Sequence, residues 1–460
     1  MVRVSSRLPS TPPPAGPDAR SGTPATALPR IAAQALAAVA AGYAAMGITA
    51  ALGLWAAGAA DLPGGFAAVL AAVVVMAVGG QVEIAGSAGS FAGTEGELTA
   101  MPLTVTLVGA LVTGAVFLRP LRHHAVARAG DLAARAAAVT VLWLAALAGL
   151  GAAARHDFPL GLDVGDPQEP LGDLFGELID AVNPTVGFRT LLGPTLGYGL
   201  LWILGVLLVA LLVSRGSALP ARLTRYHEAV RPAASAMLLL LLAYVAVGLV
   251  IGLVVAATKG HAAETFAVLL LGLPNVAWLA LGVGIGGAWE GKVEGPFGLP
   301  MPQVLDAVLR SGGDSADLST VDLSSLAAQD GRAWWLLPIA VVLVLAAAFV
   351  AAVRSPARTR PWQHALRLGV AFALTMLAVA PLTLVEARFG LSVLGIGDLG
   401  ALGGEVVLRP EVWRTAGLAL LWGLVAGFLG GLLATRTRHH GQLPTEPGTP
   451  GAGSGRSPGA

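Results

Sequence analysis

Ten runs of apolar residues, each about 20 residues long, alternate with polar segments along this chain. Their limits are 34–58, 65–84, 100–119, 135–153, 193–213, 234–257, 265–287, 333–353, 363–386 and 413–433. A helix of about 20 apolar residues crosses a hydrocarbon core about 30 Å thick. The pattern therefore predicts an all-α integral membrane protein. The flanking segments, 1–30 and 434–460, are rich in Pro, Gly, Ser, Thr and Arg and carry no apolar run, which predicts two disordered tails. The first run is too long, and starts too late, for a cleaved signal peptide and reads as an anchor.

Two runs carry backbone breaks. Run 265–287 has Pro274 and Asn275 in its middle and Gly282, Gly284, Gly286 and Gly287 behind them. Run 65–84 ends in Gly79, Gly80, Gln81 and Glu83. Proline removes a helical hydrogen bond, and non-helical backbone at membrane depth survives only inside protein or beside water. Each run is either a re-entrant element or a kinked span.

Charge separates the two readings. With ten crossings and a cytoplasmic N-terminus, the two sides hold 14 and 13 Lys/Arg, so no side is favoured. If 65–84 and 265–287 dip in from outside and return, the cytoplasmic side holds 19 basic residues and the outer side 8. Cytoplasmic loops are the basic ones. The expectation is eight crossings, two re-entrant elements and both termini cytoplasmic in the plasma membrane, with the lipid bilayer as the partner.

The runs also divide into two fives. Tyr43 and Gly47 match Tyr244 and Gly248, Phe66 matches Phe266, and Gly86 matches Gly286. Val164-Gly165-Asp166 matches Ile396-Gly397-Asp398, and Gly197, Leu200, Leu201 and Trp202 match Gly417, Leu420, Leu421 and Trp422. Four crossings in each half give both the same orientation. This predicts two parallel pseudo-repeats, 31–215 and 216–433, about an axis along the membrane normal.

Composition removes whole classes of function. The chain is 55% hydrophobic and 12% charged, with a mean hydropathy of +0.75 and a net charge of +1. A soluble enzyme or a nucleic-acid binder does not have this make-up. Cysteine is absent, so disulfides, thiolate nucleophiles and cysteine-held metals are excluded. His123, His124, His439 and His440 lie beside membrane ends without a carboxylate at ligand spacing.

Two outer segments are amphipathic: 171–182, with Leu174, Phe175, Leu178 and Ile179 on one stripe, and 301–310, with Val304, Leu305, Val308 and Leu309. Trp55, Trp334, Trp335, Trp362 and Trp413 sit near span ends, where indoles favour the headgroup region. Within the runs, Glu83 and Glu386 are the acidic residues, and Glu386 has Arg388 as a local ion-pair partner. Gln81, Glu83, Pro274 and Asn275 are the candidate lining of a polar cavity. Asn275 alternatively caps the half-helix that follows it. No proton-relay carboxylates, phosphate-cradling loop, Ser/His/Asp grouping or zinc motif is present, so no catalytic, cofactor or metal residues are assigned.

The segments GYAAMGITAALGLWAAGAADLPGGF, AVGGQVEIAGSAGS, PFGLPMPQVLDAVLR, RAWWLLPIA and LLWGLVAGFLGGLLATR resemble the streptophobe family. These are strongly hydrophobic multi-pass proteins of Streptomyces and related actinobacteria. The resemblance covers about residues 31–436 and implies an actinobacterial plasma-membrane protein, with no activity to carry over. A non-enzymatic envelope or interaction protein is the leading functional reading. Its rivals are a channel or facilitator using the two broken elements, and an enzyme acting on lipid-linked substrates through Asp163, Asp166 and Asp398.

Overall fold

A computed structural model describes residues 24–61, 64–88, 92–120, 129–159, 185–214, 221–293, 303–310, 318–356, 359–393 and 404–440. The expected tails, segment 171–182, His123, His124 and the three outer aspartates lie outside the described residues or, for the tails, largely so.

The first part of the chain folds as α1 (Pro24–Ala56), α2 (Phe66–Met76), β1 (Val82–Ala88), β2 (Ala92–Ala100), α3 (Leu103–Leu118), α4 (Ala129–Ala153), β3 (Arg155–Pro159), β4 (Thr185–Thr190) and α5 (Leu192–Val213). The second part begins with α6 (Ala221–Thr258), α7 (Ala262–Gly284), β5 (Trp289–Val293), α8 (Gln303–Arg310), β6 (Ser319–Val321) and α9 (Leu323–Gln329). It ends with α10 (Leu336–Arg354), α11 (Pro361–Val379), β7 (Val385–Val393), β8 (Gly404–Pro410) and α12 (Val412–His440). Helices α1 and α12 run past the apolar limits into 24–30 and 434–440. The apolar run sets the span, whereas a helix continues until something breaks it.

Among the described residues, eight helices are long and apolar enough to cross a membrane: α1, α4, α5, α6, α7, α10, α11 and α12. The chain has the build of a multi-pass membrane protein. The eight are not the eight expected from charge. Run 265–287 folds as one helix through Pro274, while α3 has only 16 residues, about 24 Å of rise. Helix α2 has 11 residues.

The all-α expectation holds for the spans and fails beside them. Among the described residues, eight strands form one antiparallel sheet in the order β3-β4-β1-β2-β7-β8-β5-β6. Helices α2, α4, α7 and α11 lead into strands, and α3, α5, α10 and α12 begin at or shortly after strands or, for α10, the short α9. Those ends define a strand side of the bundle. Helix α1 runs toward it, since Gly42 lies against Thr113 and Met46 against Gly109 of α3, an antiparallel pairing.

The inner face of the sheet is apolar. Trp289, Val293, Ala387, Val406 and Leu408 are buried together with Leu305, Val308 and Leu309 of α8. The stripe expected in 301–310 thus covers the sheet. Among the helices, one core surrounds Trp143, which stacks between Tyr43 at 4.2 Å and Trp202 at 4.7 Å between ring centroids. A second surrounds Phe372 and includes Leu103 from α3. The five tryptophans expected at span ends are all exposed.

Candidate functional site

The two broken elements meet different partners. In α7, Pro274 is buried, and the Asn275 amide is taken up by the start of α3. Its Oδ1 accepts from the Leu103 N–H at 3.1 Å, and its Nδ2 donates to the Met101 carbonyl at 2.9 Å. Leu103 is the first residue of α3, one of the positions whose N–H has no partner within its own helix. Asn275 therefore caps a helix, but α3 rather than its own. Thr104 completes the joint. Its hydroxyl donates to the Leu269 carbonyl at 3.0 Å and accepts from the Leu273 N–H at 3.1 Å.

Gln81 and Glu83 are attached elsewhere. The Gln81 carbonyl accepts from the Leu191 N–H at 3.2 Å. Glu83, on β1, pairs with Arg189 of β4 at 2.9 Å. The four residues expected to line one cavity therefore engage two separate sets of neighbours. The glycines behind them are closely packed. A Cβ on Gly80, Gly284 or Gly287 would come within 3.1, 2.8 and 2.7 Å of Thr195, Leu336 and Thr415 respectively.

Both α2 and α7 end on the same device. The Gly79 and Gly80 N–H groups bond to Met76 and Val75, and those of Gly286 and Gly287 to Val283 and Gly282. This is a Schellman motif, with φ of 89° at Gly79 and 92° at Gly286. Gly286 thus ends α7 as Gly79 ends α2, whereas Gly86, which the sequence sets opposite Gly286, lies within β1. The carbonyl of Ala288 accepts from Glu411 at 2.9 Å, as that of Gln81 does from Leu191.

The sheet carries the ionisable groups. Cross-strand register aligns Arg155, Arg189, Glu83, Glu97, Arg388 and Glu405 in one row across six strands. Directly opposed residues of an antiparallel pair share a face. Glu386 pairs with Arg409 at 2.6 Å, and Arg388 with Glu405 at 2.9 Å. The local Glu386–Arg388 pair expected from sequence is thus replaced by two cross-strand pairs: Glu405 stands directly opposite Arg388, and Arg409 is the diagonal neighbour of Glu386.

A different polar group lies at the helix ends opposite the strands. Arg231 and Ser235 of α6, with Arg354 and Ser355 at the end of α10, line a cleft of 310 Å³. Ser355 also borders a narrow space lined by His364 and Arg367 of α11. Sequence reading did not single out these residues. They stand in separate basic segments, and only tertiary packing brings them together.

Comparison with protein-family models, with curated proteins and with solved structures finds no match.

Proposed function

We propose that the chain is a plasma-membrane protein with both termini cytoplasmic, and that its sheet is an outward-facing, non-enzymatic interaction platform. The observation that carries the functional part is the charged row, which crosses from β3 to β8 on one continuous sheet. A surface carrying both signs of charge on rigid strands suits recognition of another macromolecule.

In this reading α1, α3, α4, α5, α6, α10, α11 and α12 cross, while α2 and α7 enter from the strand side and return to it. Contacts at the helix ends support this. Helix α2 starts with Gly65 against His156 and Phe158 of β3 and ends with the Ala77 carbonyl bonded to Thr106 near the start of α3. Helix α7 meets residues 101–104 through Leu269–Asn275, and Leu336 and Thr415 through Gly284 and Gly287. Its apolar window is 56% buried, against 11–33% in the other seven long helices, as suits an element enclosed by protein. Short α3 reaches the opposite side, where its Gly114 lies against Ala210 near the end of α5.

The two halves form a parallel repeat. The strand order supports it: β3-β4-β1-β2 is followed by β7-β8-β5-β6, the same order with each strand four places on. Because neighbours alternate in direction, corresponding strands point the same way. The streptophobe resemblance agrees with this reading and adds an actinobacterial source.

The cysteine-free chain allows a direct test. Single cysteines at Ala60 and Ala85 flank α2, and at His261 and Ser319 flank α7. Both members of each pair should react with an impermeant thiol reagent in intact cells, and a cysteine at Thr359 should not. Reaction at only one member of a pair would make that helix a crossing. For the platform, photo-crosslinkers at Glu290 and Glu405 should give discrete adducts in growing cells, unlike one at Trp362. An absence of adducts from the sheet would remove the platform.

A further inference from the structure

We propose that the cleft opposite the strands binds a phosphate-bearing anion. Its charged groups are three guanidiniums from three helices: Arg231 on α6, Arg354 on α10 and, through the adjoining space that shares Ser355, Arg367 on α11. Among the described residues, no carboxylate pairs with any of the three. On the strand side, by contrast, Arg189, Arg388, Arg409 and Arg414 each hold a glutamate. No described carboxylate neutralises the three guanidiniums that border the cleft.

The geometry of the donors narrows the ligand. The Ser235 hydroxyl donates to the Pro232 carbonyl at 3.0 Å and that of Ser355 to the Ala351 carbonyl at 2.7 Å. The guanidiniums are therefore the donors that face the cleft. Their planar forks match the oxygen pairs of a phosphate better than a single-point acceptor. The volume, 310 Å³, is at the lower end for small-ligand sites and large enough for a phosphate with part of an attached alcohol.

Two sources share this chemistry: free phosphate and the headgroup of an anionic lipid. The surroundings suit the lipid. Leu208 and Val209 of α5, Val230 and Leu239 of α6 and Val353 of α10 are apolar and exposed, and each lies within about five residues along its helix of one that lines the cleft. They offer acyl chains a path away from the cleft. Basic pockets between spans on the cytoplasmic side are a known physical solution for binding such headgroups.

The test uses the full-length protein in micelles of a neutral detergent, titrated by calorimetry with short-chain phosphatidylglycerol, short-chain phosphatidylcholine and inorganic phosphate. Wild type should bind phosphatidylglycerol in preference to phosphatidylcholine. Arg231→Gln and Arg354→Gln should each weaken binding about tenfold or more, Arg231→Lys, which keeps the charge and loses the fork, should weaken it less than Arg231→Gln does, and Arg189→Gln should leave it unchanged. Binding of inorganic phosphate alone, with the same arginine dependence, would assign the site to the free anion. If wild type binds neither phosphatidylglycerol nor inorganic phosphate, the proposal is overturned whatever the variants do. It is also overturned if Arg231→Gln/Arg354→Gln, with a wild-type melting profile, binds as wild type does.

Discussion

The hydroxyl oxygen of Thr104, in the first turn of α3, accepts a hydrogen bond from the backbone N–H of Leu273, one residue before Pro274. The same hydroxyl donates to Leu269, so one threonine touches both groups of a rung in the helix that proline weakens. With Asn275 it ties the start of α3 to α7, across the boundary between the two halves of the chain.

Asn275→Leu should lower stability by about 1–3 kcal/mol, because the Leu103 N–H and Met101 carbonyl lose their partner in a water-poor place. Thr104→Val should cost about 1 kcal/mol, and Thr104→Ser should restore most of it. Unfolding of the purified protein in detergent measures all three. Equal stability of Asn275→Leu and wild type would make the joint incidental.

Gly79→Ala and Gly286→Ala should each destabilise by about 1 kcal/mol, since both positions hold a left-handed backbone that a Cβ disfavours. The two motifs have the same hydrogen bonds, and Gly79→Ala should cost somewhat more, because a Cβ there comes within 3.1 Å of Tyr198 against 3.6 Å from Leu418 at Gly286. A large effect at one and none at the other would contradict that equivalence.

The ion pairs on the sheet should matter little for stability. Arg189 has 73% of its side chain exposed and Glu83 33%, so water screens the pair. Arg189→Gln should change stability by less than about 1 kcal/mol, and raising salt should change the wild type no more. Measured melting temperatures across a salt series check this.

Asp322 caps α9, accepting from the Ser325 N–H at 2.8 Å and the Ser324 hydroxyl at 2.6 Å. Partial burial acts to raise its pKa, but hydrogen bonds from Ser324 and Ser325 outweigh it and hold the carboxyl below the ordinary carboxylate value. The folded form thus favours the ionised group. Its contribution is present above the unfolded pKa and is lost as pH falls through the lowered folded value. Asp322→Ala should cost about 1 kcal/mol at neutral pH, with the difference from wild type shrinking in acid. Stability of the pair measured from pH 7 down to 3 checks both points.

The long helices were legible because each apolar run partitions into lipid on its own account, whatever its neighbours do. The sheet was not. Residues 82–88, Val-Glu-Ile-Ala-Gly-Ser-Ala, lack a run of β-branched or aromatic residues, and their first three merge with the apolar run before them. Strand formation here depends on edges supplied from far along the chain: β2 pairs with β7, Glu97 standing opposite Arg388. Asn275 was visible as a polar residue after a proline, but the helix that it caps begins 172 residues earlier.

By itself, the sequence determined that the chain belongs in a bilayer, about where its spans lie and that their ends carry tryptophan. Those properties follow from transfer of single segments between water and hydrocarbon, which needs no partner. Only the tertiary structure decided that segments between the spans join into one sheet, that Asn275 and Thr104 join α3 to α7, and that Arg231, Arg354 and Arg367 border one cleft. Those depend on backbone groups and side chains that are satisfied, or left open, by residues far away in the chain, and no local pattern of hydrophobicity carries that information.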